Sequence, residues 1–159
     1  MLLIDTHAHL YYDSMYNDLK SVLSEAESHY VKKTICIGTD LDTSLKSIQI
    51  AEKNDNVYAT VGIHPHDSKD VPSDYLLKLE KLALNKKVVA IGEIGIDNYR
   101  NHSPNEIQKK VMIEQMELAY KLSLPIVFHN RDADNEILEV LSNYPFYKAL
   151  SHCFSSNLD

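Results

Sequence analysis

Short apolar runs alternate with amphipathic stretches along all 159 residues, and this rhythm restricts the fold more than any other property of the sequence. The runs at 2–6, 34–38, 57–63, 88–94, 125–129 and 148–154 are rich in Val, Ile, Leu or aromatic residues and too short for stable helices. Between them apolar residues recur every three or four positions. One such series is Met15, Leu19, Val22, Leu23, Ala26 and Tyr30; another is Leu41, Leu45, Ile48 and Ala51. Leu76, Leu79 and Ala83 mark a further helix, and Ile137 with Leu141 a short last one. Ser103-Pro104-Asn105-Glu106 reads as a capping box with proline at the first helical position. It opens a long helix with Ile107, Val111, Leu118 and Leu122 on its buried side. Near-continuous apolar strands separated by helices predict an α/β fold, a parallel sheet covered by helices. A doubly wound sheet and a (β/α)8 barrel both fit, and the phosphate-loop patterns GxGxxG and GxxxxGK[ST] are absent. No linker or low-complexity tract interrupts the chain, which reads as one domain over 1–159.

The balance of charge narrows the possible partners. The formal net charge is −7, and the densest basic runs are the pairs Lys32-Lys33, Lys86-Lys87 and Lys109-Lys110. Counterion release rewards clustered lysine and arginine, so if such a chain touches a polyanion, bound cations must supply much of the attraction. No apolar run approaches the ~20 residues of a membrane span, and the N-terminus lacks the basic flank of a signal peptide. A cytoplasmic location, with the nucleus as the other choice, is the expectation. Cys36 and Cys153 form no CxxC pair and read as reduced, buried thiols.

Six of the eight histidines fall at or just beyond the C-terminal ends of the proposed strands: His7, His9, His64, His66, His129 and His152. In parallel α/β folds that edge is where sites form. Side chains two apart on a strand share a face, so His7 and His9 converge. His129 ends the fifth strand, His152 lies near the end of the sixth and Glu93 near the end of the fourth. Four imidazoles and one carboxylate from four strands would make a divalent-cation site. Singly each is a weak signal, since an isolated HxH is more often structural. Together on one rim they are a strong one. His29, on a helix, and His102, in a loop, read as surface residues.

Only two arginines stand against fourteen lysines, and both lie beside the proposed ligands. Arg131 follows His129 by two residues and Arg100 follows Glu93 by seven. A guanidinium fork suits phosphate oxygens, so Arg131 reads as substrate-binding; Arg100 reads equally as that or as a surface residue beside Asp97 and Asp132. His64-Pro65-His66 forms a second rim pair. It is placed to contact substrate or metal-bound water, or to serve as hydrogen-bond partners behind the ligands.

Taken together, DTHAHL (5–10), GIHPHD (62–67), IGEIGIDNYR (91–100), PIVFHNRDA (125–133) and SHCFSS (151–156) resemble the TatD family of metal-dependent deoxyribonucleases, within the amidohydrolase superfamily. The resemblance implies a TIM-type (β/α)8 barrel, of which about six βα units are present in this chain. It implies two divalent ions, magnesium in function with zinc or manganese able to occupy the sites. His7 and His9 would hold one ion, His129 and His152 the other, with Glu93 bridging them as the catalytic carboxylate. The implied activity is a 3′–5′ exonuclease on DNA, preferring single strands or 3′ ends, with a water nucleophile activated between the ions. The family pattern continues through two more βα units to a Glu-Thr-Asp motif whose aspartate completes the first metal site. Asp159 does not correspond to it, and open sheet edges would favour self-association. Two other functions stay in view. One is an amidohydrolase-type hydrolase of a small amide, lactone or phosphoester. The other is a non-catalytic truncated relative that binds metal or a partner.

Overall fold

Each of the six apolar runs overlaps a strand: β1 (Leu3–Ala8), β2 (Val31–Cys36), β3 (Val57–Val61), β4 (Val88–Asp97), β5 (Ile126–Arg131) and β6 (Ala149–Ser151). The computed structural model describes residues 2–144 and 148–156; Asp159 lies outside them. The strands pair in sequence order, and all five pairings are parallel. A doubly wound sheet reverses its order at a switch point, whereas a barrel wall does not. This is a barrel wall. Thr6, Ile35, Val89, Val127 and Leu150, from five different strands, line one open hollow of about 370 Å³, so the sheet curls into an open half-barrel. Among the described residues no helix is long and apolar enough to cross a membrane.

Helices cover the convex face: α1 (Asp13–Tyr16), α2 (Leu19–Ser28), α3 (Leu41–Glu52), α4 (Tyr75–Ala83), α5 (Asn105–Leu122) and α6 (Asp134–Asn143). Ile48, Ala51, Leu79, Met112, Met116 and Ile137 pack there against the sheet. β4 is the most deeply buried strand, and it runs three residues beyond the apolar stretch to reach Asp97.

Several local expectations differ from the structure. The first helical stretch is two helices, parted at Asn17-Asp18, residue types that favour turns and caps over helix interiors. Met15 is more than a third exposed, and Tyr30 lies beyond the helix in the left-handed region at φ 68°. On α3 Leu45 faces solvent, while Ser44 and Ser47 are fully buried. The reason is proximity. A Cβ on Gly38 would meet Ser44 Oγ at 2.4 Å, and the Gly62 N–H donates to that oxygen at 3.1 Å. Only a small polar side chain fits between the helix and these strand ends.

The capping box expected at 103–106 does not form. Pro104 is the N-cap of α5, and the Ser103 hydroxyl instead donates to the His66 carbonyl at 2.8 Å and accepts the Lys69 N–H. Ile107 is partly exposed rather than buried. A reciprocal box closes α3, where the Thr43 N–H donates to Asp40 Oδ1 at 2.7 Å and the Asp40 N–H to Thr43 Oγ1 at 2.9 Å. Cys36 is buried as expected but Cys153 is exposed, and both are free thiols.

Two buried glutamines on α5 tie the helix to the functional rim. Gln108 and Gln115 are seven residues apart and so share a face. Gln115 accepts the Ile63 N–H at 2.7 Å and donates to the Ile63 carbonyl at 3.1 Å, directly before His64. Gln108 accepts the Asp97 N–H at 2.8 Å and donates to the Ser103 carbonyl at 2.6 Å. Both satisfy backbone groups where the strand ladder stops.

Candidate metal centre

At the C-terminal rim an open cavity of about 350 Å³ is lined by His9, His64, His66, Glu93, His129 and His152, with Tyr12, Thr39 and Asp67 at its edge. Alternation along β4 puts Glu93, Gly95 and Asp97 on one face. Gly95 has φ +140°, and a Cβ there would lie 2.0 Å from the His129 carbonyl oxygen. Glycine thus lets β4 and β5 approach closely enough for His129 to sit between two carboxylates.

Glu93 is 3% exposed and reaches in two directions. Its Oε2 lies 3.3 Å from His7 Nε2, and its Oε1 lies 3.2 Å from His129 Nδ1 and 3.7 Å from His64 Nε2. Burial alone would raise its pKa, but the contacts with His129 and His7 and the field of His64 outweigh it and hold the carboxyl well below its usual range. Burial works against the charged form of His129 too, yet Glu93 and Asp97 lift its pKa above the ordinary value. Burial lowers His9 and His152, with His7 adding to each.

Among the described residues, two groups bring possible ligand atoms within 4.8 Å of each other: His7, His9 and Glu93, and His64, Glu93 and His129. Glu93 belongs to both. Both ring nitrogens of His7 are buried with no hydrogen-bond partner; the Nε2 contact to Glu93 is close but not aligned as a hydrogen bond. Buried polar atoms are seldom left so, and bare imidazole nitrogens beside a carboxylate are the donor set that divalent cations take. The residues fit such an ion. His9 Nδ1 lies 2.9 Å from the Tyr11 hydroxyl, and the ring also meets the Ile37 backbone. Burial pushes that hydroxyl up to about 12.

His64 differs from the other rings. Its Nδ1 accepts the backbone N–H of His66 at 3.1 Å, so the neutral ring carries its proton on Nε2. Burial drives its pKa down to about 3, with Glu93 offsetting only part of that, so the ring is neutral. Although it is close enough to be a ligand, its proton makes it a hydrogen-bond donor, and Glu93 Oε1 at 3.7 Å is too distant to receive it. His152 shares the cavity, but its ring stacks on His7 with centroids 3.4 Å apart.

His66 turns away from Glu93 and places Nε2 2.7 Å from Asp97 Oδ2. His102 is on the surface, as expected, with its ring edge against His66 at 4.6 Å. His29 is an exposed helix cap. The guanidinium of Arg131 lies 4.0 Å over the Tyr99 ring and that of Arg100 lies 5.7 Å from it, so both arginines gather on one exposed aromatic. Arg100 also donates its backbone N–H to Asp97 Oδ1 at 2.7 Å. Asp97, 1% exposed, is the site residue that the sequence reading passed over. The signal was available, because Asp97 stands two alternations after Glu93 in IGEIGID.

A family model described as TatD related DNase matches residues 4–159. The chain belongs to the TatD-related DNase family. It is 35% identical to an uncharacterized metal-dependent hydrolase, YabD of Bacillus subtilis, over 99% of this chain and 63% of the relative. Identity is 33% to the 3′–5′ ssDNA/RNA exonuclease TatD of Cronobacter sakazakii, over 87% of this chain and 54% of the relative. Among solved structures, the TatD homolog YJJV of Escherichia coli K12 superposes with TM-score 0.93 at 28% identity, over 98% of this chain and 61% of that one. The chain therefore spans less than two thirds of these TatD relatives, and across that span it has their barrel wall.

Proposed function

We propose that these residues carry most of the metal centre of a DNase that shortens DNA from the 3′ end with two divalent ions. The observation that carries the reading is the two-sided placement of Glu93, one carboxylate oxygen toward His7 and the other toward His129. His7, His9 and Glu93 would hold one ion, and Glu93, His129 and His152 the other. When bound, such ions lower the pKa of a shared water and stabilise the oxygens of an in-line displacement at phosphorus. His64, a neutral donor, is placed to hold a proton against a phosphoryl oxygen or the attacking water. The Arg131 guanidinium lies over the Tyr99 ring, where its N–H groups can take a phosphate. Arg100 and His66 flank the same approach. A chain of net charge −7 has little other attraction for DNA, so the cations supply much of it. Magnesium is the ion in function, with zinc or manganese taken at the same ligands, and the compartment is the cytoplasm.

The test is digestion of 5′-labelled single-stranded DNA with magnesium. A ladder of 3′-shortened products from a form that carries the two further βα units, abolished by chelator and by Glu93→Gln, is the expected result. Intact DNA under conditions where a small model ester is cleaved would favour the small-substrate hydrolase instead. Full activity in Glu93→Gln would remove the bridging role.

A further inference from the structure

We propose that Asp97 is a positioning residue of this centre: its Oδ2 holds His129 by Nε2 and so turns the bare Nδ1 toward Glu93 and the cation. The proposal rests on the metal-centre reading above.

Three donors converge on this one buried carboxylate. Oδ2 takes His66 Nε2 at 2.7 Å and His129 Nε2 at 3.1 Å, and Oδ1 takes the Arg100 backbone N–H at 2.7 Å. All three come from the rim. The backbone of Asp97 is itself fixed, with its N–H on Gln108 Oε1 at 2.8 Å. The side chain therefore has little freedom to follow its partners, and they are set by it.

Proton counting gives the consequence. An ionised carboxylate only accepts, so the His129 nitrogen facing it must carry a proton. Nδ1 lies 3.2 Å from Glu93 Oε1 but is not aligned to donate there, whereas Nε2 is aligned on Asp97, so the single N–H of the neutral ring goes to Nε2 and leaves Nδ1 bare. Only a bare nitrogen ligates a cation. The same oxygen orients His66 in the same sense. One carboxylate thus sets the tautomer of two rings that enter the site from different elements. A purely structural Asp97 would fill space and cap the turn at Arg100 without affecting which nitrogen of His129 is free.

Asp97→Asn separates the two roles, because the amide has the same shape. Its oxygen can keep the Arg100 N–H while its NH2 faces both rings as a donor. His129 Nε2 must then accept, and the proton moves to Nδ1, where it blocks the cation. Ring-nitrogen NMR of the cation-free protein, recorded above the imidazole titration range, should show His129 as the Nε2–H tautomer in the wild type and Nδ1–H in Asp97→Asn. Calorimetry with Zn²⁺ alone should show binding weakened by about 10–100-fold. Asp97→Glu, which keeps an acceptor, should recover part of that loss. A variant that melts lower but keeps both the tautomer and the zinc affinity would make Asp97 structural only and overturn the proposal. If Asp97→Asn does not fold, the wild-type spectrum still decides, since an Nδ1–H ring there is incompatible with the proposal. Wild-type protein that takes no Zn²⁺ would count against the metal-centre reading, whereas the tautomer needs no cation and tests Asp97 by itself.

Discussion

The backbone N–H of His66 donates to Nδ1 of His64 across 3.1 Å, and this bond separates a hydrogen-bond donor from a metal ligand at the centre of the site. With Nδ1 occupied, ligation through Nε2 would require an imidazolate. His64→Ala should therefore leave the zinc stoichiometry unchanged while lowering DNA turnover by about 10²-fold or more, the usual cost of removing one donor to developing charge. Calorimetry and the nuclease assay read the two effects separately. Loss of one bound ion per chain would make His64 a ligand after all.

Acid sensitivity of the metal-stripped protein should report the same ring. His64 titrates near 6.5 when unfolded and near 3 in the fold. Between these values the unfolded chain holds a proton that the folded chain lacks, so stability falls as the pH drops. His9 and His152, also lowered, add in the same direction. His129 is raised, so its contribution is fully present below 6.5 and stays flat. Glu93 is lowered from 4.5, so its contribution is lost only below that value. Thermal melts from pH 6.5 to 4.5 read the histidines, opposed toward the acid end by Asp67, whose carboxyl burial raises. His64→Gln should flatten the slope by up to about 1.4 kcal/mol per pH unit, the value of one proton. An unchanged slope would place His64 in water.

Gln108→Leu keeps the bulk of the side chain but strips the Asp97 N–H and the Ser103 carbonyl of their partner. Each is a buried or half-buried backbone group, and leaving one unsatisfied costs roughly 1–3 kcal/mol. The urea midpoint should fall with its slope unchanged, and zinc affinity should fall with it because Asp97 loses its anchor. A midpoint equal to wild type would mean that water replaces the amide.

The outer edge of β1 is apolar and open. Leu2 is 73% and Ile4 56% exposed, and Ile4 shares a face with Thr6 at the hollow. Residues 1–159 expressed alone should self-associate through this edge and that of β6, as unpaired strand edges do. Light scattering should find species larger than one chain, reduced by Ile4→Lys. A monomer with a cooperative melt would refute the expectation.

Much of this protein is legible in its sequence. Strand and helix periodicities reveal which residues point together along one element, so the βα order and the shared rim of His7, Glu93 and His129 follow from spacing alone. Periodicity treats every polar residue as solvent-facing, however, and it passed over Ser44, Gln108, Gln115 and Asp97. Each of these is buried because its partner, a Gly62, Ile63 or Asp97 backbone group or a His129 ring, arrives from a distant segment. The same blindness put Leu45 and Ile107 inside. The sequence by itself determined the order of the elements and the chemical types gathered at the rim, because both depend on local spacing. Which nitrogen of each ring is free was decided only by the tertiary structure. A tautomer depends on a donor or acceptor about 3 Å away, and no local pattern records which residue stands there.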